Sequence, residues 1–402
     1  MSHGLGEWLC RGAALSALLA LGAGCGSNDE VVGPSGSATQ APAVGQNGGK
    51  WESVPPLRFS DESGAVYLRQ KKAEIVDGPL PQDYPVEEKT GPNGELIQIS
   101  PPPSKEIDWA TLPVEKIAEL LRARTVRDGY EYLEEQLPIA LATKVKNEAI
   151  HGIPTPATES KLPEGAVPNE TKPGENTVGA PNSRYIIGSD NRVYVGNNPV
   201  YNAAQLYLEQ CGCSATVIGG RIAATAAHCF FSKSKWCIPT KVAPAADGNS
   251  RPFGEWTNLS IAVPGGWDGG ASGSLGLDYA RIQFTTRRGD STGWFGTITS
   301  SSGQMETVGY PDDKPRPQMW LKLGQVTTTQ SDRLKHNLDV VPGDSGSAMY
   351  LQTTRQLTGI QSSQNRYSTC FFWTCSTEYW NEATRWTGPV YNFFAATGVW
   401  PG

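Results

Sequence analysis

The C-terminal part of this chain, from about residue 185 to 402, predicts an all-β fold. Three observations carry that prediction: short apolar runs of strand length recur, clusters of Gly, Pro and Asn punctuate them, and helical periodicity is almost absent until the end. Residues 215–224 read as two such strands around the turn Gly219-Gly220, and residues 280–284 as a strand of alternating polarity. Near the C-terminus, residues 382–386 and 390–394 read as a closing helix interrupted by Gly388-Pro389. The aromatic residues Phe371, Phe372, Trp373, Tyr379 and Trp380 read as packing rather than as a ligand platform.

The front half is organised differently. Residues 13–21 are apolar after Arg11, too short a run to span a bilayer and of signal-peptide length, so 1–25 is taken as a leader and export is expected. The leader ends Leu21-Gly22-Ala23-Gly24-Cys25, which is similar to a bacterial lipoprotein site; Cys25 would be the lipid acceptor and would attach the protein to a membrane. Gly22 stands where a Leu is common, so a simple signal peptide is the other reading. Residues 26–50 are a Gly-, Ser- and Pro-rich linker. Within 51–150, the apolar residues Ile117, Leu120, Leu121, Val126, Tyr130, Tyr132, Leu133 and Leu137 predict one or two amphipathic helices, broken at Gly129 and Pro138. Residues 151–184 form a Pro-rich connector, the kind of segment where processing falls, with cleavage expected near Arg184 to Ile187. The front half is acidic and the remainder nearly neutral, for a net charge of −6. Without a basic patch, electrostatic recognition of nucleic acid is excluded.

Chemistry concentrates in Val341-Pro342-Gly343-Asp344-Ser345-Gly346-Ser347. Glycines on both sides of a serine permit a tight turn that presents Ser345 as a nucleophile, with the amides of Gly343 and Ser345 placed to hold an oxyanion. The same residues suit an ordinary turn. A serine hydroxyl needs a general base, and the chain has four histidines. His3 falls in the leader and His151 in the connector, which leaves His228 and His336. His228 follows a strand end; Asp278 precedes a strand and would fix the imidazole tautomer. Taken singly, His228 also suits a core position and Asp278 a strand-entry cap.

Thr225-Ala226-Ala227-His228-Cys229, Asp278-Tyr279-Ala280 and Gly343-Asp344-Ser345-Gly346-Ser347, in the order His, Asp, Ser, resemble the motifs of a chymotrypsin-fold serine peptidase. Residues 186–192 and 339–343 make the chain more similar to the bacterial glutamyl-endopeptidase-like (V8-like) branch. The resemblance covers about residues 185–402. It implies two antiparallel six-stranded β-barrels with a short C-terminal helix, preceded by a partly helical propeptide. It implies cleavage of a polypeptide substrate through Ser345, His228 and Asp278 by way of an acyl-enzyme, without a cofactor, with the propeptide docked as an intramolecular partner. A new N-terminal amine would pair with Asp344. Six cysteines outside the leader allow 15 disulfide pairings. The family's histidine-loop bridge corresponds to Cys213–Cys229, leaving Cys211–Cys237 and Cys370–Cys375 by proximity. Cys211-Gly212-Cys213 has no partner at zinc-ligand spacing, so no metal is expected.

Specificity is divided. Asp339 stands six residues before Ser345, where trypsin-like enzymes carry the acid that binds Arg or Lys, yet it also matches an Asp of the V8-like branch that has no such role. Glutamate-cutting members carry a histidine where this chain has Gln361, which argues against strict glutamate specificity unless His336 substitutes. Two other classes fit the same residues: a non-catalytic surface lipoprotein that uses the fold as a binding module, and an esterase.

Overall fold

Antiparallel strands dominate the computed structural model, which describes residues 52–58, 66–81, 86–100, 106–134, 139–163, 186–196, 198–270, 275–371, 374–397 and 400. The expected leader with Cys25, the linker to Lys50, most of the connector and Arg184 lie outside the described residues. Among the described residues, four short α-helices accompany the strands.

One ten-stranded sheet runs Glu52–Arg58, Val66–Lys72, Tyr130–Glu134, Ala123–Arg127, Leu259–Pro264, Ala280–Phe284, Ile222–Thr225, Cys213–Gly219, Leu206–Leu208, Ala243–Pro244. The front half therefore extends a sheet begun by the C-terminal half, through pairs such as Ile261 with Val126 and Val263 with Arg124. Strand Cys213–Gly219 is buried at every position, consistent with its uninterrupted small and apolar side chains. A second ten-stranded sheet is ordered Val326–Thr329, Arg333–His336, Thr374–Arg385, Leu357–Phe371, Ala348–Leu351, Met305–Gly309, Trp320–Gly324, Val193–Tyr194. Glu87–Thr90 and Leu96–Ser100 join it through strand Leu357–Phe371. Three disulfides, Cys211–Cys237, Cys213–Cys229 and Cys370–Cys375, staple the structure.

The front half departs from the helical expectation in its middle. Val114–Leu121 and Ile139–His151 are helices, and Ile117, Ala118, Leu121, Ala142 and Val145 form their common buried seam. Between them, however, Val126, Tyr130, Tyr132 and Leu133 belong to a hairpin. Its turn places Asp128 at φ 50° and Gly129 at φ 80°, the left-handed pair that a tight hairpin requires. Glu131 is fully buried in that hairpin, paired with Lys71 at 3.1 Å and Arg124 at 3.3 Å. This carboxylate is an inward strand position with its charge answered.

The closing helix is likewise shorter than expected. Glu382 to Arg385 end the long strand Thr374–Arg385, and only Gly388–Ala395 is helical, with Pro389 in its first turn. Phe371 is 52% exposed near the tip of the Leu357–Phe371/Thr374–Arg385 hairpin; Phe372 and Trp373 lie outside the described residues. Trp380 is half-buried under the Lys335 ammonium, 4.2 Å from its ring centre.

Candidate active site

Ser345 sits on a turn whose glycines are required by geometry. Gly343 has φ 95° and Gly346 φ 83°, and a side chain at Gly346 would collide with Thr225 Oγ1 and the Ser214 carbonyl. Hydrogen bonds fix this turn from several directions. Ser214 Oγ donates to the Gly343 carbonyl at 2.8 Å, the Ser214 amide donates to the Ser345 carbonyl at 2.9 Å, and the Gly346 amide donates to the Gln361 carbonyl at 2.8 Å. Asp344 N–H closes the turn on the Val341 carbonyl at 3.0 Å. Among the described residues, the amides of Gly343 and Ser345 have no acceptor. Both remain available to a developing oxyanion.

Asp344 itself is completely buried and is met by the equally buried Lys322 ammonium. Burial raises the Asp344 carboxyl and lowers the Lys322 amine, while the attraction between them opposes both shifts. The cation expected from a new N-terminus is thus supplied by a strand residue.

His228 lies in the short turn after strand Ile222–Thr225 and Asp278 just before strand Ala280–Phe284, two neighbours in the first sheet. His228 Nδ1 is 2.7 Å from Asp278 Oδ2, and the His228 backbone amide donates to Asp278 Oδ1 at 2.9 Å. Ser362 Oγ donates to the same Oδ2 at 2.5 Å. Burial works to raise the Asp278 pKa, but His228 and these hydrogen bonds outweigh it and hold the carboxyl below its ordinary value. Asp278 is therefore ionised at neutral pH, the form that accepts from imidazole Nδ1–H. Nε2 then carries the lone pair; it is buried without a protein hydrogen-bond partner and so is free to accept a hydroxyl proton. His228 and Ser345 line one cleft of about 390 Å³, with Gly343 and Gln361 to Gln364 along its wall.

Arg333 supports that wall from behind. Its buried guanidinium donates to Ser362 Oγ at 3.1 Å, Ser363 Oγ at 2.8 Å and the Leu275 carbonyl at 2.9 Å, and it pairs with Glu382 at 2.8 Å. Ser362 thus accepts from a cation while it donates to Asp278. Neither Arg333 nor Ser362 nor Lys322 stood out in the sequence. Ser362 follows Gln361 in an undistinguished polar run, and only the pairing of distant strands brings it to Asp278.

Asp339 does not line the cleft, which goes against the trypsin-like of its two readings. Its buried carboxylate accepts the Ile187 amide at 2.8 Å and the Asn191 amide at 3.4 Å, anchoring the segment that begins the C-terminal half. The physical reason is local: residues 187–191 bring backbone donors to Asp339 and claim its carboxylate. Gln361 does line the cleft, and its side-chain amide is buried against His336. His336 lies behind it. Its Nδ1 accepts the Leu338 amide at 3.3 Å, and burial lowers its pKa to about 4, with Gln361 and Glu382 nearby pulling the other way.

Cys213, His228 and Cys229 cluster closely enough to suggest a metal site. Both sulfurs, however, are consumed in one disulfide, which leaves the imidazole as the single ligand.

No protein-family model matches the chain. Among curated proteins it is similar to a glutamyl endopeptidase of Bacillus licheniformis, 31% identical over 199 residues, which are 46% of this chain and 62% of that protein. It is also similar to a protein of Bacillus subtilis named an extracellular metalloprotease, 26% identical over 180 residues, 41% of this chain and 57% of that one. The chain thus spans less than two thirds of the length of either relative. Two solved structures are similar as well. One is a Glu endopeptidase in complex with MPD, 24% identical, TM-score 0.43, covering 52% of this chain and 97% of that one. The other is a thermostable serine protease from an extremophilic microorganism, 17% identical, TM-score 0.34, covering 46% of this chain and 90% of that one.

Proposed function

We propose that this chain is an exported serine endopeptidase made as a proenzyme, in which Ser345 attacks a peptide carbonyl. The observation that carries the reading is the convergence of an ionised, buried Asp278, the His228 imidazole it orients, and Ser345 with two free amides beside it. His228 Nε2 takes the Ser345 proton as the Oγ–C bond forms, the Gly343 and Ser345 amides hold the oxyanion, and the protonated imidazole passes the proton to the leaving amine. Water then repeats the cycle on the acyl-enzyme.

The substrate's acyl part has a natural seat. Strand Leu357–Phe371 is paired along one edge with Thr374–Arg385, while its other edge carries Ala348–Leu351 as far as Ile360 and Leu96–Ser100 from Arg366 onward. Among the described residues no strand covers Ser362 to Asn365 on that edge, and the cleft runs along it. An extended peptide can add there as a short strand. Among the described residues no Lys or Arg lines the cleft, and Asp312, which does line it, is already paired with Arg316, so an uncharged side chain next to the scissile carbonyl fits better than Glu, Arg or Lys.

Three disulfides and a leader-like start support export, and Cys25 would add a lipid anchor. The front half supports the proenzyme reading because it contributes strands to both large sheets. The test is reaction of Ser345 with a fluorophosphonate and cleavage of a diverse peptide library, beside Ser345→Ala. Labelling and cuts confined to the wild type support the peptidase. Folded protein that does neither moves the assignment to a binding module, and turnover of esters without amides moves it to an esterase.

A further inference from the structure

One piece of the front half enters the cleft. Pro79 and Leu80 line it together with His228, Ser345 and the two disulfides Cys211–Cys237 and Cys213–Cys229. Leu80 is 6% exposed, although it follows an exposed Pro79 and precedes an exposed Pro81. It is held by more than its own side chain. Ile75–Val76 pairs in parallel with Trp236 and Cys237, the Trp236 amide donates to the Glu74 carbonyl at 2.8 Å, and Gln210 Nε2 donates to Asp77 Oδ1 at 3.4 Å. Gly212 makes room for the segment: a side chain there would approach Pro79 to 2.9 Å.

The side of the cleft can be assigned. The acyl part of a substrate belongs along Ser362 to Asn365, so the leaving group belongs on the opposite side, next to the imidazole that protonates it and to Cys229, its neighbour in sequence. Leu80 lines the cleft together with Cys213 and Cys229, and Pro79 lies against Gly212, the neighbour of Cys213. We infer that Cys211–Cys237, Cys213–Cys229 and Gly212 form an apolar subsite for the residue on the leaving-group side of the scissile bond, and that Leu80 occupies this subsite in cis as a built-in inhibitor. The inference rests on the peptidase reading and names a ligand class for the same cleft, a leucine-sized apolar side chain.

The flanking prolines suit an inhibitor. Each fixes φ near −65° and lacks an amide N–H, so Pro79-Leu80-Pro81 arrives already extended, with little chain entropy left to lose. With Leu80 on the leaving-group side, the bond that would face Ser345 is Pro79–Leu80, and Pro79 on its acyl side has no N–H to donate to the strand edge.

Full-length protein tests this with three variants: Leu80→Asp, Leu80→Ala and Ser345→Ala. The readout is the second-order rate of fluorophosphonate labelling, together with cleavage of peptides that differ only in the residue following the scissile bond. Burial of a leucine side chain corresponds to roughly a 10- to 100-fold effect on occupancy. Leu80→Asp is therefore expected to label about that much faster than wild type, and Leu80→Ala to fall between. A synthetic peptide of residues 74–81 should suppress labelling of Leu80→Asp, while the same peptide carrying Asp at position 80 should not. Peptides with Leu after the scissile bond should be cut faster than those with Asp. Wild type and both Leu80 variants labelling at one equal rate overturn the inference and leave the peptidase intact. Absence of labelling in every folded variant overturns the peptidase reading, and the inference with it. Leu80→Ala keeps the test decisive if Leu80→Asp fails to fold.

Discussion

Replacing His336 by Gln should flatten the acid limb of the stability curve by an amount that the structure sets. His336 is completely buried with its ring between Leu338 and Gln361, and burial lowers its pKa from an ordinary 6.5 to about 4. Once the chain unfolds, the imidazole takes up a proton near the ordinary value; in the folded state it does so only near the lower one. The unfolded state therefore binds the extra proton first as pH falls. The stability associated with the neutral ring is complete above about pH 6.5 and is lost progressively down to about pH 4. That gap corresponds to roughly 3 kcal/mol. Neighbouring charges, Arg333 and Glu382, stay in place in the variant and cancel in the difference. Urea unfolding at half-unit steps from pH 7.5 to 4 should show the wild type losing about 3 kcal/mol more than His336→Gln across that range. Parallel curves for the two proteins would mean that His336 is solvated or already protonated in the fold, and the account of its burial would fail.

Other substitutions probe the site's supports. Ser362→Ala removes the hydroxyl that donates to Asp278 and accepts from Arg333, and kcat/KM should fall by about tenfold or more, with the acid limb of the pH profile moving up as Asp278 becomes easier to protonate. Lys322→Met leaves the Asp344 carboxylate buried without its cation and should cost about 3–5 kcal/mol in calorimetry; adding Asp344→Asn should recover part of it, and a silent Lys322→Met would refute the pairing. Gly346→Ala meets both a positive φ and the Thr225 and Ser214 oxygens, so purified variant should unfold several kcal/mol more easily, about 3 or more, and lose fluorophosphonate reactivity.

The sequence was most readable where chemistry forces residue type. A nucleophile on a tight turn needs Gly343 and Gly346, and His228 and Asp278 occur at the ends of strands whose apolar runs are visible at sight; these three side chains come to one region of the structure. Sheet partnership was not readable. Nothing local tells Ala123–Arg127 that its partner is Leu259–Pro264, more than a hundred residues away, and the hairpin at Asp128-Gly129 was hidden because Ile117 to Leu137 can be fitted to either period. Buried charges were hidden for the same reason. Glu131, Arg333 and Lys322 look like surface residues until their partners arrive from distant strands. Asp339 shows the converse error, since its spacing from Ser345 is right for a pocket acid while the backbone donors of residues 187–191 claim it.

The uncovered edge at Ser362 to Asn365 also works as a ruler. Among the described residues, Ala348–Leu351 bounds it at one end and Leu96–Ser100 at the other, leaving four residues of that edge without a strand partner. A peptide laid along it can extend only about four residues before it meets Ser100, a residue of the front half. The gauge therefore depends on a part of the chain that is separate in sequence from the cleft. Losing Leu96–Ser100 would lengthen the gap toward Cys370, so processing of the front half would change the length of peptide the cleft accepts as well as its access.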